Sequence, residues 1–269
     1  MTVLKELEEI GEELVGALVP RPSGQLSGHA GGLPFEALVD DALKQRFPGS
    51  AFRHFEALNH ALTIELDSKE DKFRPGEYKF GPEPVNYLAK RGTAPTSRWS
   101  PTNRFEEKQN DTAETIVFSD KKKLFNSELV SFVDVKSQNA MKKSQQPNII
   151  SARKIKDIGL IAWETGSDLP LEILYLGIKF MPEEVDGRRM LRANECRAID
   201  LFKTDPKEIY INWSAALQIQ FYPLEVEQNF EGSNKEWLGM FLESYARSLE
   251  HRSNQQVMEV TKIRKALDG

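Results

Sequence analysis

The chain has 269 residues, a net charge of −5, and 39% hydrophobic and 29% charged residues. This length allows one large core, and the composition excludes disordered and fibrous proteins. The single cysteine, Cys196, excludes an intrachain disulfide and suits the reducing cytoplasm of a prokaryotic-type intracellular protein. No apolar run approaches membrane-spanning length, and the acidic amphipathic N-terminus is not a signal peptide. We expect a cytoplasmic protein folded as a single domain over residues 1–269.

Charge is distributed unevenly along the chain. No acid occurs from Val135 to Lys156 or from Pro84 to Arg104, although both stretches contain lysines and arginines. Acids are concentrated instead in the N-terminal segment and in 225–250. The net charge argues against binding a polyanion by bulk charge alone, but this polarisation favours a basic cleft on an acidic body. Ordinary clustering of surface charge is the alternative.

The first hundred residues are predicted to be mainly helices and loops. A helix that begins near Pro34 suits the preference of proline for the first turn, and Glu36 in that turn is expected at the surface. The predicted segments are a helix over about 2–18, a second helix from Pro34, a helical or mixed segment over 51–66, an exposed loop over 67–83, a short helix over 84–91 and a long loop over 92–104.

The rest of the chain alternates between strands and helices. The C-terminal helix carries an aromatic stripe, Trp237, Phe241 and Tyr245 with Leu249, which is expected to pack in the core or a dimer contact. The predicted segments are strands over 115–118 and 129–136, a helix over about 148–164, a strand over 171–181, a charged excursion over 182–195, a loop and strand over 209–221, and a helix over about 235–266.

Two acids and a lysine stand at the ends of two apolar strands. Glu114 precedes TIVF, whereas Asp134 and Lys136 end VSFVDVK. Because side chains alternate along a strand, Asp134 and Lys136 point the same way. The connecting loop is short enough for a hairpin, and folding the chain about Leu124 sets Glu114 opposite the region of Asp134 to Lys136. Directly opposed residues have Cβ atoms roughly 5 Å apart, so the three groups can share one pocket.

This set of groups suits metal-assisted hydrolysis of a phosphodiester. Carboxylates are the ligands that Mg²⁺ prefers, and a lysine can orient a water or stabilise charge that develops on phosphorus. The alternative is a structural salt bridge. An acid-x-lysine triplet is a weak signal in this chain, because Glu77–Lys79 and Asp205–Lys207 also fit it.

Longer segments resemble the HincII/HindII-type restriction endonucleases of the PD-(D/E)xK superfamily. They are FEEKQNDTA, DVK, KKSQQPNIISARK, YINWSAALQIQF and SGHAGGLPFEALV, which run from about residue 20 to 221. The resemblance implies an α/β (α+β) restriction-endonuclease-like fold, in which helices flank a central mixed β-sheet. The family has aspartate where this chain has Glu114; Asp111, three residues earlier, is the second candidate. The resemblance also makes Glu36 an outside candidate, because a helical glutamate often lies close to the metal site in this superfamily, although a surface position is expected.

The resemblance also implies which residues contact DNA. Gln145 lies at the position of a glutamine that wedges between base pairs, and Asn212 at that of a base-contacting asparagine. Amides suit base edges because each offers a donor and an acceptor, although turn capping is the alternative for any single amide. The predicted DNA-binding residues are the polar Gln109, Asn110, Ser144, Gln145, Gln146, Asn148 and Asn212, and the phosphate-neutralising Lys142, Lys143 and Arg153.

The implied function is that of a Mg²⁺-dependent type II restriction endonuclease acting on double-stranded DNA. Glu114, Asp134 and Lys136 would be catalytic, and Glu114, Asp134 and the Val135 carbonyl would hold the metal. The resemblance further implies a palindromic, GTYRAC-like site, cut to blunt 5′-phosphate ends. Two-fold DNA symmetry predicts a homodimer, and a cognate DNA methyltransferase would act on the same site. The alternatives are a nuclease of DNA repair, a catalytically silent DNA-binding relative and a protein unrelated to nucleic acids.

Overall fold

The structure is a computed structural model that describes most of the chain. The described residues are 2–22, 28–53, 56–57, 60, 81–90, 93–100, 103–107, 115–119, 127–141, 146–167, 169–214 and 217–267. Within these ranges no helix combines the length and the apolar composition needed to cross a membrane.

The described chain contains both helices and strands, and three strands lie in the first hundred residues, where mainly helices and loops were predicted. The helices are α1 (Val3–Leu14), α2 (Gly28–Arg46), α3 (Glu83–Lys90), α4 (Ala152–Thr165) and α5 (Asn234–Leu267). The strands are β1 (Leu18–Pro20), β2 (Ala51–Arg53), β3 (Thr93–Ser100), β4 (Asn103–Glu107), β5 (Thr115–Phe118), β6 (Val130–Asn139), β7 (Asn148–Ser151), β8 (Leu171–Val185), β9 (Arg188–Asp200), β10 (Tyr210–Asn212) and β11 (Gln218–Gln220).

A six-stranded mixed sheet forms the centre of the protein. Its order is β1-β9-β8-β6-β5-β2, with β6 parallel to β8 and the other neighbours antiparallel. The apolar runs in β6 and β8 explain their central place, because parallel strands are buried on both faces. The predicted fold, a central mixed sheet flanked by helices, is confirmed.

This sheet separates two apolar cores. Val130 and Phe132 of β6 belong to the core that packs against α3, α4 and α5. Val133 and Val135 belong to the core on the opposite face, which packs against α1 and α2. The predicted alternation of β6 side chains between two faces is therefore confirmed, and Asp134 and Lys136 continue the row of Val130 and Phe132.

Two predicted loops are wrong. Residues 93–100 and 103–104 belong to a hairpin, in which β3 and β4 pair with Thr93 opposite Glu107. The segment 182–195 continues β8 and begins β9, with a turn at Asp186 and Gly187 whose φ angles are 51° and 73°. Ion pairs between β8 and β9, such as that of Arg192 with Glu183, allow these charged segments to pair as strands.

Several predicted helix ends are also wrong. α1 ends at Leu14 rather than at 18, because the chain turns at Gly16, whose φ angle is 88°, before it enters β1. α2 begins at Gly28, so Glu36 lies mid-helix and is buried rather than at the surface. The segment 148–164 begins with β7, and the helix follows it.

Other predictions are confirmed or lie outside the described residues. The short helix over 84–91 and the C-terminal helix are confirmed as α3 and α5. The stripe of Trp237, Phe241 and Tyr245 is buried, whereas Leu249 is 45% exposed. The segment 51–66 begins with β2, and most of its remainder, like the loop 67–80, lies outside the described residues.

Candidate active site and nucleic-acid interface

Asp134 and Lys136 form an ion pair on β6. Lys136 Nζ lies 2.5 Å from Asp134 Oδ2. The Asp134 carboxylate is buried and Lys136 is half-buried at the end of the apolar half of the strand. The predicted common direction of the two side chains is confirmed. A buried ion pair alone is compatible with a structural role, so its neighbours decide how it is interpreted.

The hairpin that brings β5 to β6 has the predicted register. Thr115 pairs with Val133, and Phe118 pairs with Val130, which is the register obtained by folding the chain about Leu124. Thr115 is the residue after Glu114, and Val133 is the residue before Asp134. Glu114 and Asp111 themselves lie outside the described residues, so their placement stays a prediction.

A tyrosine from β8 lies beside the pair. Tyr175 is opposite Asp134 in the parallel register, and Lys136 Nζ lies 6.0 Å from the centre of its ring. The ring is wholly buried, and its hydroxyl has no hydrogen-bond partner among the described residues. Burial, and then the negative charge of Asp134, raise the pKa of Tyr175 well above its usual value. The phenol is therefore protonated, with an unused donor next to the candidate site.

A charged network on α2 supports the start of β5. The Thr115 hydroxyl donates to Asp40 Oδ1 at 2.8 Å. Lys44 Nζ and Arg53 Nε lie 2.9 and 3.2 Å from the other carboxylate oxygen of the buried Asp40. This network fixes the strand end that follows Glu114. Sequence reasoning missed it, although the spacing of Asp40 and Lys44 by one helical turn is a recognisable signal.

The other end of β6 contacts α2 closely. A Cβ atom built at Gly32 would lie 2.8 Å from Ser137 Oγ and 2.9 Å from Glu36 Oε1. A larger residue at this crossing would therefore require the Ser137 and Glu36 side chains to move. The contact brings the buried Glu36 carboxylate to the strand segment that follows Lys136, so the favoured surface position of Glu36 is wrong.

The donor atoms at this place fit a hard divalent cation. Asp134 offers carboxylate oxygens, and the adjacent Val135 offers a main-chain carbonyl; Mg²⁺ often takes only one or two carboxylates from a protein and keeps several waters. No cluster of three or more His, Cys, Asp or Glu side chains suited to a metal occurs among the residues that the structure describes. A complete site needs a further acid, and the prediction assigns this role to Glu114.

Two of the predicted base-reading amides are brought together on a second, three-stranded sheet. Its order is β10-β11-β7. Asn212 Nδ2 donates to Gln220 Oε1 at 3.0 Å, and Gln220 Nε2 donates to Asn148 Oδ1 at 2.7 Å. Asn212 Oδ1 accepts from the Ser214 N–H at 3.0 Å. We call Asn212, Gln220 and Asn148 the amide ladder. Sequence reasoning missed Gln220, whose place in the alternating QIQF strand was the available signal.

The remaining predicted DNA-binding residues fall into two groups. Gln146 and Arg153 are exposed at the two ends of the β7 segment. Two basic residues near Arg153 are less available, because Lys154 is buried and Lys156 pairs with Asp157 at 2.6 Å. The residues that lie outside the described ranges are Gln109, Asn110, Lys142, Lys143, Ser144 and Gln145.

Comparisons with known proteins identify relatives along almost the whole chain. The model of the family described as restriction endonuclease HincII matches residues 10–266. The type II restriction enzymes HindII, from Haemophilus influenzae strain Rd, and HincII, from Haemophilus influenzae, are each 35% identical over 267 residues, covering 97% of this chain and 97% of theirs. Among solved structures, the NlaIV restriction endonuclease is matched over 80% of this chain and 89% of its own, with 9% identity and a TM-score of 0.24.

Proposed function

The chain belongs to the HincII restriction endonuclease family, and from that premise we infer that it is a type II restriction enzyme that hydrolyses double-stranded DNA at a specific site. The observation that carries the proposal for the active site is the pairing of Thr115 with Val133. One further step in this antiparallel register would set Glu114 opposite Asp134, next to Lys136. Two carboxylates and an ammonium would then share one pocket.

The chemistry follows from the roles of these groups. The Asp134 carboxylate, the Val135 carbonyl and Glu114 would hold Mg²⁺. When bound, this ion neutralises phosphate charge and makes a coordinated water more acidic. Lys136, held by Asp134 at 2.5 Å, would orient the attacking water and stabilise the negative charge that develops on the phosphoryl oxygens. The water would give up a proton to solvent as its oxygen bonds to phosphorus, the bond from phosphorus to O3′ would break, and O3′ would take up a proton, which gives a 5′ phosphate and a 3′ hydroxyl.

The proposed substrate is a short palindrome bound by a homodimer. A two-fold axis in the DNA is matched by two copies of the chain, with one active site for each strand. All side chains from His251 to Arg264 are exposed, and apolar ones among them, such as Val257 and Ile263, are 62% and 54% exposed. Exposed apolar surface is typical of interaction sites, so this half of α5 is suited to contact a second copy.

The proposal also includes the recognition sequence, the cut ends and the residues that contact DNA. The site would be GTYRAC-like and cut to blunt ends, and a DNA methyltransferase would act on the same site. Gln145 would intercalate, Gln146, Asn148 and Asn212 would face bases, and Arg153 would contact phosphate.

Digestion of plasmid DNA with Mg²⁺, followed by sequencing of the fragment ends, tests the function. Discrete fragments that share one palindrome at their ends are expected. A smear would indicate a nuclease without a recognition site, as in DNA repair, and shifted but uncut DNA would indicate a silent binding protein. Either result contradicts the proposal. Omission of divalent metal, with EDTA present, is the matched control and should leave the plasmid intact.

A further inference from the structure

The polarity of the amide ladder is fixed by the main chain. A side-chain amide can be turned end over end, which exchanges its donor and acceptor. Asn212 Oδ1, however, accepts from the main-chain N–H of Ser214, and a main-chain N–H can only donate. Asn212 Nδ2 must therefore face Gln220, so Gln220 Oε1 must face Asn212, and Gln220 Nε2 must face Asn148 Oδ1. One Asx turn thus sets the orientation of all three amides.

A β-bulge makes this arrangement possible. Ile219 of β11 pairs with Ile150 of β7, but Gln220 pairs with Asn148, so Ile149 is the extra residue. Ile149, Ile150, Ile211 and Ile219 are all buried, which leaves the amides on the outer face. Without the bulge, Gln220 would be opposite an isoleucine, and the bond to Asn148 could not form. Bulges often redirect a side chain in this way.

The ladder changes what Asn148 can offer to a ligand. A lone asparagine offers a donor and an acceptor, and can bind the N6 and N7 atoms of adenine together. Here the oxygen of Asn148 already accepts from Gln220 at 2.7 Å. The two N–H bonds of Asn148 Nδ2 take part in no hydrogen bond among the described residues, and Asn148 is exposed. The ladder therefore presents donors outward.

We propose that Gln220 is a specificity-determining positioning residue, which locks Asn148 with its donors towards the DNA so that Asn148 selects a base-edge acceptor. Suitable acceptors in the major groove are N7 of a purine, O6 of guanine and O4 of thymine. Cytosine, whose exposed group at this edge is the N4 amino donor, is rejected. The proposal rests on the proposed function and adds to it the chemistry of one base contact.

The test compares cleavage profiles on a duplex carrying the site found by end sequencing. Cleavage rates are measured for every single base-pair replacement in that site, with the wild type, Asn148→Ala, Gln220→Leu and the double variant. A good base contact gives a discrimination of about 5- to 150-fold. We expect both single variants to lose this discrimination at the same base pair, and the double variant to lose no more than either. Thermal unfolding checks that each variant is folded.

A second variant reverses the orientation of the Asn148 amide and keeps the hydrogen bond from Asn212. Gln220→Glu can still accept from Asn212 Nδ2 but cannot donate to Asn148 Oδ1, so Asn148 turns its nitrogen towards the carboxylate and its oxygen towards the DNA. The wild type should lose affinity when the contacted purine is replaced by its 7-deaza analogue, or a contacted thymine by 5-methyl-2-pyrimidinone. Gln220→Glu should be insensitive to the same replacement.

The outcomes separate the two proposals. The role of Gln220 is overturned if the wild type cuts at one site but Gln220→Leu has an unchanged cleavage profile. It is also overturned if the effect of Gln220→Leu adds to that of Asn148→Ala. In both cases the proposed function stands. A wild type without a preferred site overturns both. The matched control is Asn194→Ala, which removes an exposed amide on β9 that bonds only weakly to Met181 sulfur at 3.6 Å; its profile should equal that of the wild type.

Discussion

Two carboxylates of the central sheet, Asp134 and Asp200, are equally buried but have different partners. Each is 7% exposed, and they pair with adjacent residues of β8, Asp134 with Tyr175 and Asp200 with Leu174. Asp134 has an ammonium at 2.5 Å. Burial, and to a lesser extent the nearby Glu172, raise the pKa of Asp200 to about 6, although its carboxylate accepts the main-chain N–H of Phe202 at 2.9 Å, which acts in the opposite direction.

The comparison teaches that burial alone does not mark a functional acid. Asp200 caps the turn after β9, and its environment favours the neutral form. The environment of Asp134 contains instead the Lys136 ammonium and the buried phenol of Tyr175, and the ammonium is a group that attracts an anionic ligand such as phosphate. A site is therefore recognised by the partner of the acid, and substitutions that change the partner and the acid separately can test this.

The largest effect is expected from removing the partner of Asp134. Lys136→Ala and Asp134→Asn should each lower the cleavage rate at least about 100-fold, because the first removes the cation that would stabilise charge developing in the transition state and the second removes a proposed ligand of Mg²⁺. Single-turnover cleavage with Mg²⁺ measures this, and DNA binding in Ca²⁺ should change only a few-fold. Arg192→Ala is the matched control, since it breaks a similar pair, with Glu183 at 2.7 Å, on the β8–β9 extension. Undiminished cutting by either active-site variant would remove the pair from catalysis.

The Asp134 site was predictable because its determinants are local. Period-two alternation gave the faces of β6, and two apolar runs joined by a short loop gave the register of the hairpin, now seen in the pairing of Thr115 with Val133. β9 was missed because its charged residues read as a loop, whereas Arg192 is accommodated by pairing with Glu183 on β8. A contact made by distant segments leaves no such local pattern.

The amide ladder was unpredictable for the same reason. Asn148, Asn212 and Gln220 were separate polar residues in the sequence, and only three strands and a bulge unite them. Glu36 was misplaced because the true start of α2 is Gly28, which puts Glu36 against β6. The candidate catalytic groups on β6 could be inferred from their residue types, but the hydrogen bonds of the amide ladder could be recognised only from tertiary contacts.

The second prediction concerns the acid without a cation. Asp200→Asn should raise the free energy of unfolding at pH 8 by about 1–3 kcal/mol. The sign follows from the raised pKa, from 3.8 to about 6: the folded protein holds this proton more tightly, so stability is lost as the pH rises from about 4 through 6. Asparagine keeps the acceptor for Phe202 without the charge. Urea unfolding between pH 4 and pH 8 measures the difference, which should shrink towards pH 4.

Asp205→Asn is the matched control for this pH profile. Asp205 Oδ1 also accepts an N–H two residues on, from Lys207 at 2.9 Å, but from a half-exposed position. Its substitution should alter the profile much less. A gain in stability for Asp200→Asn that is equal at pH 4 and pH 8 would contradict the assigned cause.

The third prediction compares two tyrosines. Tyr175→Phe should stabilise the protein by about 1 kcal/mol, because its buried hydroxyl has no partner among the described residues and such a group costs free energy. Tyr87→Phe, which removes a hydroxyl that donates to Asp157 Oδ2 at 2.7 Å, should destabilise it by about 1 kcal/mol. Equilibrium unfolding measures both. Destabilisation by Tyr175→Phe would mean that its hydroxyl is bonded, and would bring it into the network of the active site.

The smallest effect is expected from Glu114→Asp, at the acid that we propose to lie opposite Asp134. Glu114→Asp restores the residue that resembles the family pattern, keeps the charge and shortens the stem by one methylene, so cleavage should be retained or rise a few-fold. Glu114→Gln, which has the same shape without the charge, is the matched control and should be inactive, because a neutral amide is a poor ligand for Mg²⁺. Rates measured across a range of Mg²⁺ concentrations separate metal affinity from turnover. An inactive Glu114→Asp beside an active Glu114→Gln would exclude Glu114 from the site and leave Asp134 and Lys136 without their second acid.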